Sequence, residues 1–328
     1  MIEVLEATHV AEARRYAARV GDGLGFDEAA LAQIKMVASE MASNLIKHGG
    51  GGVFLAQPLP GARGAGLELL ALDRGHGMQE VTRCLTDGYS TAGTLGLGLG
   101  TIVRQSGLAE IYTRPEAGTA VVAHFFRPEA ARTPHGPDCG AVCVPKPGQD
   151  ACGDAWALRH EHGISWLLVT DGLGHGPLAA SASQAALDAF FGWRPTRPSD
   201  GLAVLHQALR GTRGAVAGLV ALEHASGTLR YAGVGNIATH LCQDDACRSV
   251  LSYDGTLGYQ VRSIREHSYQ IAEGGLVVMH SDGLSSRWNL TQRPGLFSAH
   301  PALVAGCLYL DYTRDTDDAT VVVLRRTS

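Results

Sequence analysis

The sequence carries no surplus of positive charge: 27 Lys and Arg stand against 32 Asp and Glu, a formal net charge of −5. A nucleic-acid binder needs a basic face, so that partner class is excluded, and any phosphate recognition has to come from local groups. No stretch reaches the roughly 18 apolar residues that crossing a bilayer requires. The start, Met1-Ile-Glu-Val-Leu-Glu6, is acidic where a secretion signal would be basic. Neither membrane nor export is therefore expected, and the chain reads as cytoplasmic. Also missing is any C-x-x-C pair. The seven cysteines are an odd number, and Cys139-x3-Cys143 and Cys242-x4-Cys247 lack zinc spacing, so reduced thiols are expected.

What is present is globular: 45% hydrophobic and 18% charged residues over 328 positions suit two domains, each with its own core. A break between them is visible from Arg127 to Asp138, with three prolines in twelve residues and no apolar periodicity. The expected division is a first domain at 1–127, a linker at 128–138 and a second domain at 139–328. No internal repeat is found.

In the first part, Leu31, Ile34, Ala38, Met41 and Leu45 recur at helical spacing, with Asp27 placed to cap the helix and Phe26 to staple against Leu31. Glu40 and Asn44 sit one turn apart beside this stripe, with Lys47 further along. An amide oxygen there suits Mg²⁺, and a carboxylate one turn earlier can orient or deprotonate a hydroxyl. Taken alone, the trio also fits an ordinary solvated face. Next, the apolar run Leu67–Leu72 delivers Asp73 at a strand end, where a carboxylate can accept from the exocyclic amine of adenine. Gly75 and Gly77 follow and allow close backbone approach. Gly96-Leu-Gly98-Leu-Gly100 then opens an expected helix over 97–106, with free N–H groups at its start for phosphate. No strand and distant acid flank it in the way a dinucleotide fold requires.

Taken in order, Glu40/Asn44/Lys47, Asp73-x-Gly75-x-Gly77 and Gly96-x-Gly98-x-Gly100 resemble the GHKL ATPase family over roughly residues 5–126. Within it, Asp73-Arg-Gly-His-Gly and Asp87-Gly-Tyr-Ser-Thr-Ala-Gly look similar to the anti-sigma-factor and RsbT-like serine/threonine kinases of partner-switching systems. The resemblance implies a Bergerat-type α/β sandwich that binds ATP and Mg²⁺, with Glu40 catalytic and the other named residues holding the nucleotide.

The second part repeats one device: an apolar strand bounded by an aspartate with a glycine or second acid beside it. Gly153-Asp154 precedes such a run, Ile164–Thr170 ends in Asp171-Gly172-Leu-Gly-His175-Gly176, Leu276–Ser281 ends in Asp282-Gly283, and Asp317-Asp318 leads into Val321–Leu324. A single Asp-Gly is usually a turn. Several acids at strand ends make a candidate metal set of Asp154, Asp171, Gly172, Asp282 and Asp317, whose oxygens select Mg²⁺ or Mn²⁺ over zinc. His175 stands near enough in sequence to donate to a leaving oxygen, although a solvated role serves it equally well. Asp318 reads as a support or turn cap.

This order resembles the PPM-type metal-dependent phosphatases in their compact SpoIIE-like and RsbX-like form, over about residues 138–326. Thr212-Arg-Gly214 and Tyr231-Ala-Gly-Val-Gly-Asn236 share the likeness. The resemblance implies an αββα sandwich holding two metals, Asp171 bridging them, and direct attack of water on the phosphorus. It departs at one point: the arginine that grips phosphate near the start of fuller PPM enzymes has no placed counterpart. The whole chain is thus expected to be α+β, a GHKL sandwich followed by a PPM sandwich. It would act as a bifunctional regulator, phosphorylating and dephosphorylating Ser or Thr of STAS-type antagonist proteins. Two alternatives stand beside it: an active phosphatase with a nucleotide-sensing first domain, and a first domain that only captures a sigma factor or other regulator.

Overall fold

Strand β1 (Ile2–Val4) leads into two helices, α1 (Ala7–Gly23) and α2 (Glu28–Lys47). Asp27 caps α2 as its position predicts, its side chain accepting from Ala30 N at 2.8 Å, and Ile34, Val37, Ala38, Met41, Ala42 and Leu45 form the buried stripe. The chain then makes β2 (Gly52–Pro58), β3 (Gly66–Leu72), a short helix α3 (Gly98–Gln105), β4 (Leu108–Thr113) and β5 (Thr119–Phe126). The five strands form one antiparallel sheet in the order β1-β2-β3-β5-β4. Alternate residues of β3, Leu67, Leu69 and Ala71, join the core with Ala13 and Ala17 of α1, the α2 stripe and Ile102 of α3. This is an open sheet backed by helices, and burial of its apolar side chains at about 25 cal/mol per Å² is what holds it.

The computed structural model describes residues 1–59, 66–78, 98–127, 138–243 and 246–327. The chain separates into units Met1–His135 and Gly136–Ser328. The readings placed on Gly96, on the 87–94 lead-in to the glycine loop and on 128–137 fall outside the described residues.

The second unit is two facing sheets. Strands β6 (Cys139–Val144), β7 (Asp154–Glu161) and β8 (Ile164–Gly172) come first, followed by helices α4 (Pro177–Gly192) and α5 (Pro198–Ala208). Then come β9 (Ala215–Glu223), β10 (Thr228–Val234), β11 (Ala238–Gln243), β12 (Ala246–Ser249), a small hairpin of β13 (Gly255–Thr256) and β14 (Gln260–Val261), β15 (Glu266–Gln270), β16 (Leu276–His280), helix α6 (Pro301–Tyr312) and β17 (Ala319–Arg325). One sheet runs β15-β10-β9-β8-β7, the other β12-β11-β16-β17-β6. Leu167, Val169, Val220 and Tyr231 of the first meet Ala141, Val277, Met279 and Val322 of the second in a shared core. On the outer face of the first sheet, Trp166, Leu168 and Leu219 pack on Ala182, Ala186, Phe190 and Leu205 of α4 and α5. Helix α6 lies on β6 and β17 of the second sheet. Alternation along β8 sends neighbouring side chains to opposite layers, so one strand feeds both cores.

One expectation is corrected. Cys242 and Cys247 are joined in a disulfide, because they are direct partners across the β11–β12 pair with Cα atoms 4.0 Å apart. Sequence spacing alone does not reveal that opposition. Cys139, Cys143, Cys152 and Cys307 are free thiols. Among the described residues, no helix is long and apolar enough to cross a membrane.

Candidate metal centre and nucleotide site

At one end of the two-sheet unit the strand termini converge. Asp154 opens β7 directly opposite Asp171 near the end of β8. From the other sheet, Ser281-Asp282 follows β16 and Asp317-Asp318 precedes β17. Ser281 ties the sheets together: its hydroxyl donates to Asp154 Oδ2 at 2.6 Å and accepts from Thr320 N at 3.0 Å. Asn236, just after β10, donates to Asp282 Oδ2 at 2.8 Å. Asp318 is buried and accepts from Lys146 N and Gly153 N, both at 2.8 Å, while its own N–H donates to Asp317 Oδ1 at 2.9 Å. A charged acceptor makes such bonds about 1.5–3 kcal/mol contacts, so Asp318 fixes the loop ahead of Asp154. Gly172 donates to Gly153 O at 3.0 Å, and a Cβ there would meet Ala179 O at 2.2 Å, which lets the first turn of α4 close on the pole. His175 is exposed in the turn before that helix.

The electrostatics follow from crowding. Burial and then the charges of Asp154, Asp282, Asp317 and Asp318 push the Asp171 carboxyl up to about 9. Asp154 is raised to about 7, chiefly by burial, despite its bond from Ser281. Like charges this close cannot all ionise without a compensating cation. The donor set is all carboxylate and carbonyl oxygen, which suits a hard divalent ion.

In the first unit, Glu40 and Asn44 of α2 meet the start of α3. A Cβ on Gly98 would lie 3.0 Å from Glu40 Oε2 and 3.6 Å from Asn44 Oδ1, so this helix end sits directly against both side chains. Gly100 is buried inside α3, and Lys47 is exposed on the last turn of α2. Asp73 is a buried carboxylate, raised by desolvation, whose Oδ1 accepts from Gly75 N at 2.8 Å and Thr119 N at 3.1 Å. Its Oδ2 makes no hydrogen bond among the described residues and remains an acceptor. Gly77, at φ +65°, sits where a Cβ would collide with Arg114 O at 1.9 Å.

The roles of Ser281 and Asn236 escape a reading of the sequence, although Ser281 adjoins Asp282 and Asn236 closes the Tyr231–Asn236 motif, whereas the supporting role of Asp318 agrees with its reading as a support. The first two carry no charge and act through partners 127 and 46 residues away.

An open sheet backed by helices, followed by an αββα sandwich with an aspartate pole, defines the class: a GHKL-like domain ahead of a PPM-type phosphatase domain. Residues 161–327 match the family described as "Stage II sporulation protein E (SpoIIE)", and residues 4–125 match "Histidine kinase-like ATPase domain". The chain belongs to the SpoIIE family, with the kinase-like ATPase domain at its N-terminal side. Among curated proteins, the first domain is similar to "Serine/threonine-protein kinase RsbT" of Bacillus subtilis (strain 168), 30% identical over 98 residues, 30% of this chain and 74% of that protein. The second is similar to "Phosphoserine phosphatase RsbX" of the same organism, 26% identical over 141 residues, 43% of this chain and 71% of that protein. A solved structure described as "The bacterial stressosome: a modular system that has been adapted to control secondary messenger signaling" is 30% identical with TM-score 0.54. It covers 58% of this chain and 100% of its own.

Proposed function

We propose that this chain sets both sides of a serine or threonine phosphorylation switch, its first domain adding phosphate to a STAS-type antagonist and its second removing it. The observation that carries the reading is the aspartate pole, where Asp171 is held protonated to about 9 by burial and four neighbouring carboxylates. Such a cluster is adapted to bound cations, and a cation-loaded pole at the strand ends is suited to phosphomonoesters. The likeness to a kinase in one half and a phosphoserine phosphatase in the other supports opposed activities on one protein class.

In the second domain, Asp154, Asp171, Asp282 and Asp317, with the Gly172 backbone, would hold two Mn²⁺ or Mg²⁺. When bound, such ions lower the pKa of water and neutralise charge on phosphoryl oxygens. The chain's own part is positional. Ser281 fixes the Asp154 carboxylate, Asn236 fixes Asp282, and Asp318 holds the Gly153 loop against Lys146.

In the first domain, Asp73 Oδ2 is the acceptor for an adenine amine, and the N–H groups opening α3 at Gly98 face phosphate, with Gly96 and Gly100 the further glycines of the nucleotide-binding set. Asn44 would take Mg²⁺ through its amide oxygen, and Lys47 and the Gly75 and Gly77 backbones would line the nucleotide. Glu40 accepts the proton of the attacking serine or threonine hydroxyl as its oxygen bonds the γ-phosphorus and ADP leaves. Positioning and charge stabilisation contribute most of such a transfer. A sigma factor or other regulator downstream is a further partner, and the site of action is cytoplasmic.

The direct test is metal dependence. Purified chain is expected to dephosphorylate a phosphoserine STAS protein with Mn²⁺ or Mg²⁺ and to stop when EDTA is in excess. Full turnover in EDTA would overturn the assignment of the pole.

A further inference from the structure

We propose that Arg213 is the residue that takes hold of the substrate's phosphate in the second domain. The inference rests on the phosphatase reading above and adds to it a cationic group outside the aspartate set. Arg213 lies in the turn Thr212-Arg-Gly214, which enters β9 opposite the end of β8, where Ala215 pairs with Gly172 and Val216 with Asp171. The turn is stiff. Thr212 Oγ1 donates to Leu209 O at 2.7 Å and accepts from Gly214 N at 3.0 Å, and Gly214 O accepts from Leu173 N at 3.0 Å.

The guanidinium lies over Gly174, in the loop that follows Asp171. Gly174 has φ +88°, and a Cβ there would stand 3.0 Å from Arg213 Nη1. On its other side, the Gly174 carbonyl lies 3.3 Å from where a Cβ on Gly153 would be, a position that is itself 2.7 Å from Asp318 Oδ2. Gly174 therefore touches both the arginine and the Gly153 loop that Asp318 holds.

That arginine is uncommitted. Arg213 is exposed and makes no hydrogen bond or ion pair with a described residue, whereas Arg314, also at the pole, donates to Asp282 O at 3.4 Å. An exposed guanidinium with no partner among the described residues, held against the loop that follows Asp171, is available to an incoming anion. The pole needs it there. Even two divalent cations do not outweigh five carboxylates, and a phosphomonoester brings about two more negative charges. A planar fork of N–H donors matches two phosphoryl oxygens at once.

The test uses the full chain loaded with Mn²⁺, with p-nitrophenyl phosphate for turnover and calorimetric titration of orthophosphate for binding. A charge-assisted contact is worth about 1.5–3 kcal/mol, which corresponds to roughly 10- to 100-fold in affinity. Arg213→Ala is expected to raise KM and to weaken orthophosphate binding by that factor, with a smaller change in kcat. Arg213→Lys is expected to recover part of both, because a point charge replaces the fork. Arg213→Met keeps the aliphatic stem, so it separates loss of charge from loss of packing if Arg213→Ala melts early. KM and orthophosphate affinity within twofold of the parent in Arg213→Met would overturn the proposal, as would a parent protein that binds no orthophosphate. If the parent binds orthophosphate through Arg213 but turns over no phosphorylated substrate, the phosphatase reading fails and this inference stands.

Discussion

In metal-free protein, Asp171→Asn is expected to raise the melting temperature of the phosphatase domain while abolishing its turnover when metal is restored. The unfolded carboxyl ionises near 3.8, and burial with neighbouring acids lifts the folded one to about 9. Between those values the folded state keeps a proton that the unfolded state has released. Stability is therefore unpenalised below the lower value and declines as pH rises toward the upper one. At about pH 7.5 the gap spans roughly 3.7 units, an upper figure of about 5 kcal/mol at 1.36 kcal/mol per unit. Asparagine escapes this penalty but brings an amide to satisfy, at about 1–3 kcal/mol. A net gain of about 2–4 kcal/mol remains, or roughly 4–16 °C for a domain of this size. Thermal melts from about pH 5 to 9 in chelator measure it. The parent is expected to lose stability with rising pH, the variant to lose much less, and Mn²⁺ to stabilise the parent more at high pH than at low. An unchanged or lower melting temperature for the variant at about pH 7.5, with a flat parent profile, would refute the argument from crowded charge.

Two further outcomes are expected. Asn44→Ala should weaken ATP affinity in the presence of Mg²⁺ and leave the Mg²⁺-free affinity unaltered, measured by calorimetry, since the amide acts through the cation; equal weakening in both conditions would contradict that role. Ser281→Ala should leave the Asp154 carboxylate without its tether and reduce phosphatase turnover at limiting Mn²⁺ more than at saturation, read from metal titrations of activity; equal losses at both would contradict a positioning role.

The α2 helix was legible because its signals are local: an aspartate cap and a stripe at helical spacing need no partner to be recognised. The aspartates were legible for the same reason, each lying at the edge of an apolar strand. Their meeting point was not written locally. Asp154 meets Ser281 across 127 residues, and only the facing of two sheets brings the strand ends together. The Cys242–Cys247 bond was misread because direct opposition across β11 and β12 is a matter of register, which cysteine spacing does not encode. Asn236 and Arg213 stand in recognisable motifs, yet their significance depends on which groups are already paired, a property of the folded chain alone.

A labelling cycle decides whether one chain both writes and erases the same mark. Asp171→Asn protein is incubated with γ-labelled ATP, Mg²⁺ and a STAS antagonist, so that product is not erased as it forms. Parent protein with Mn²⁺ is then added. The expected result is label on a serine or threonine of the antagonist, reduced about 10²–10⁴-fold when Glu40→Gln is combined with Asp171→Asn, and released as orthophosphate by the parent. An antagonist that is never labelled, or label that persists after the parent protein and Mn²⁺ are added, would contradict it.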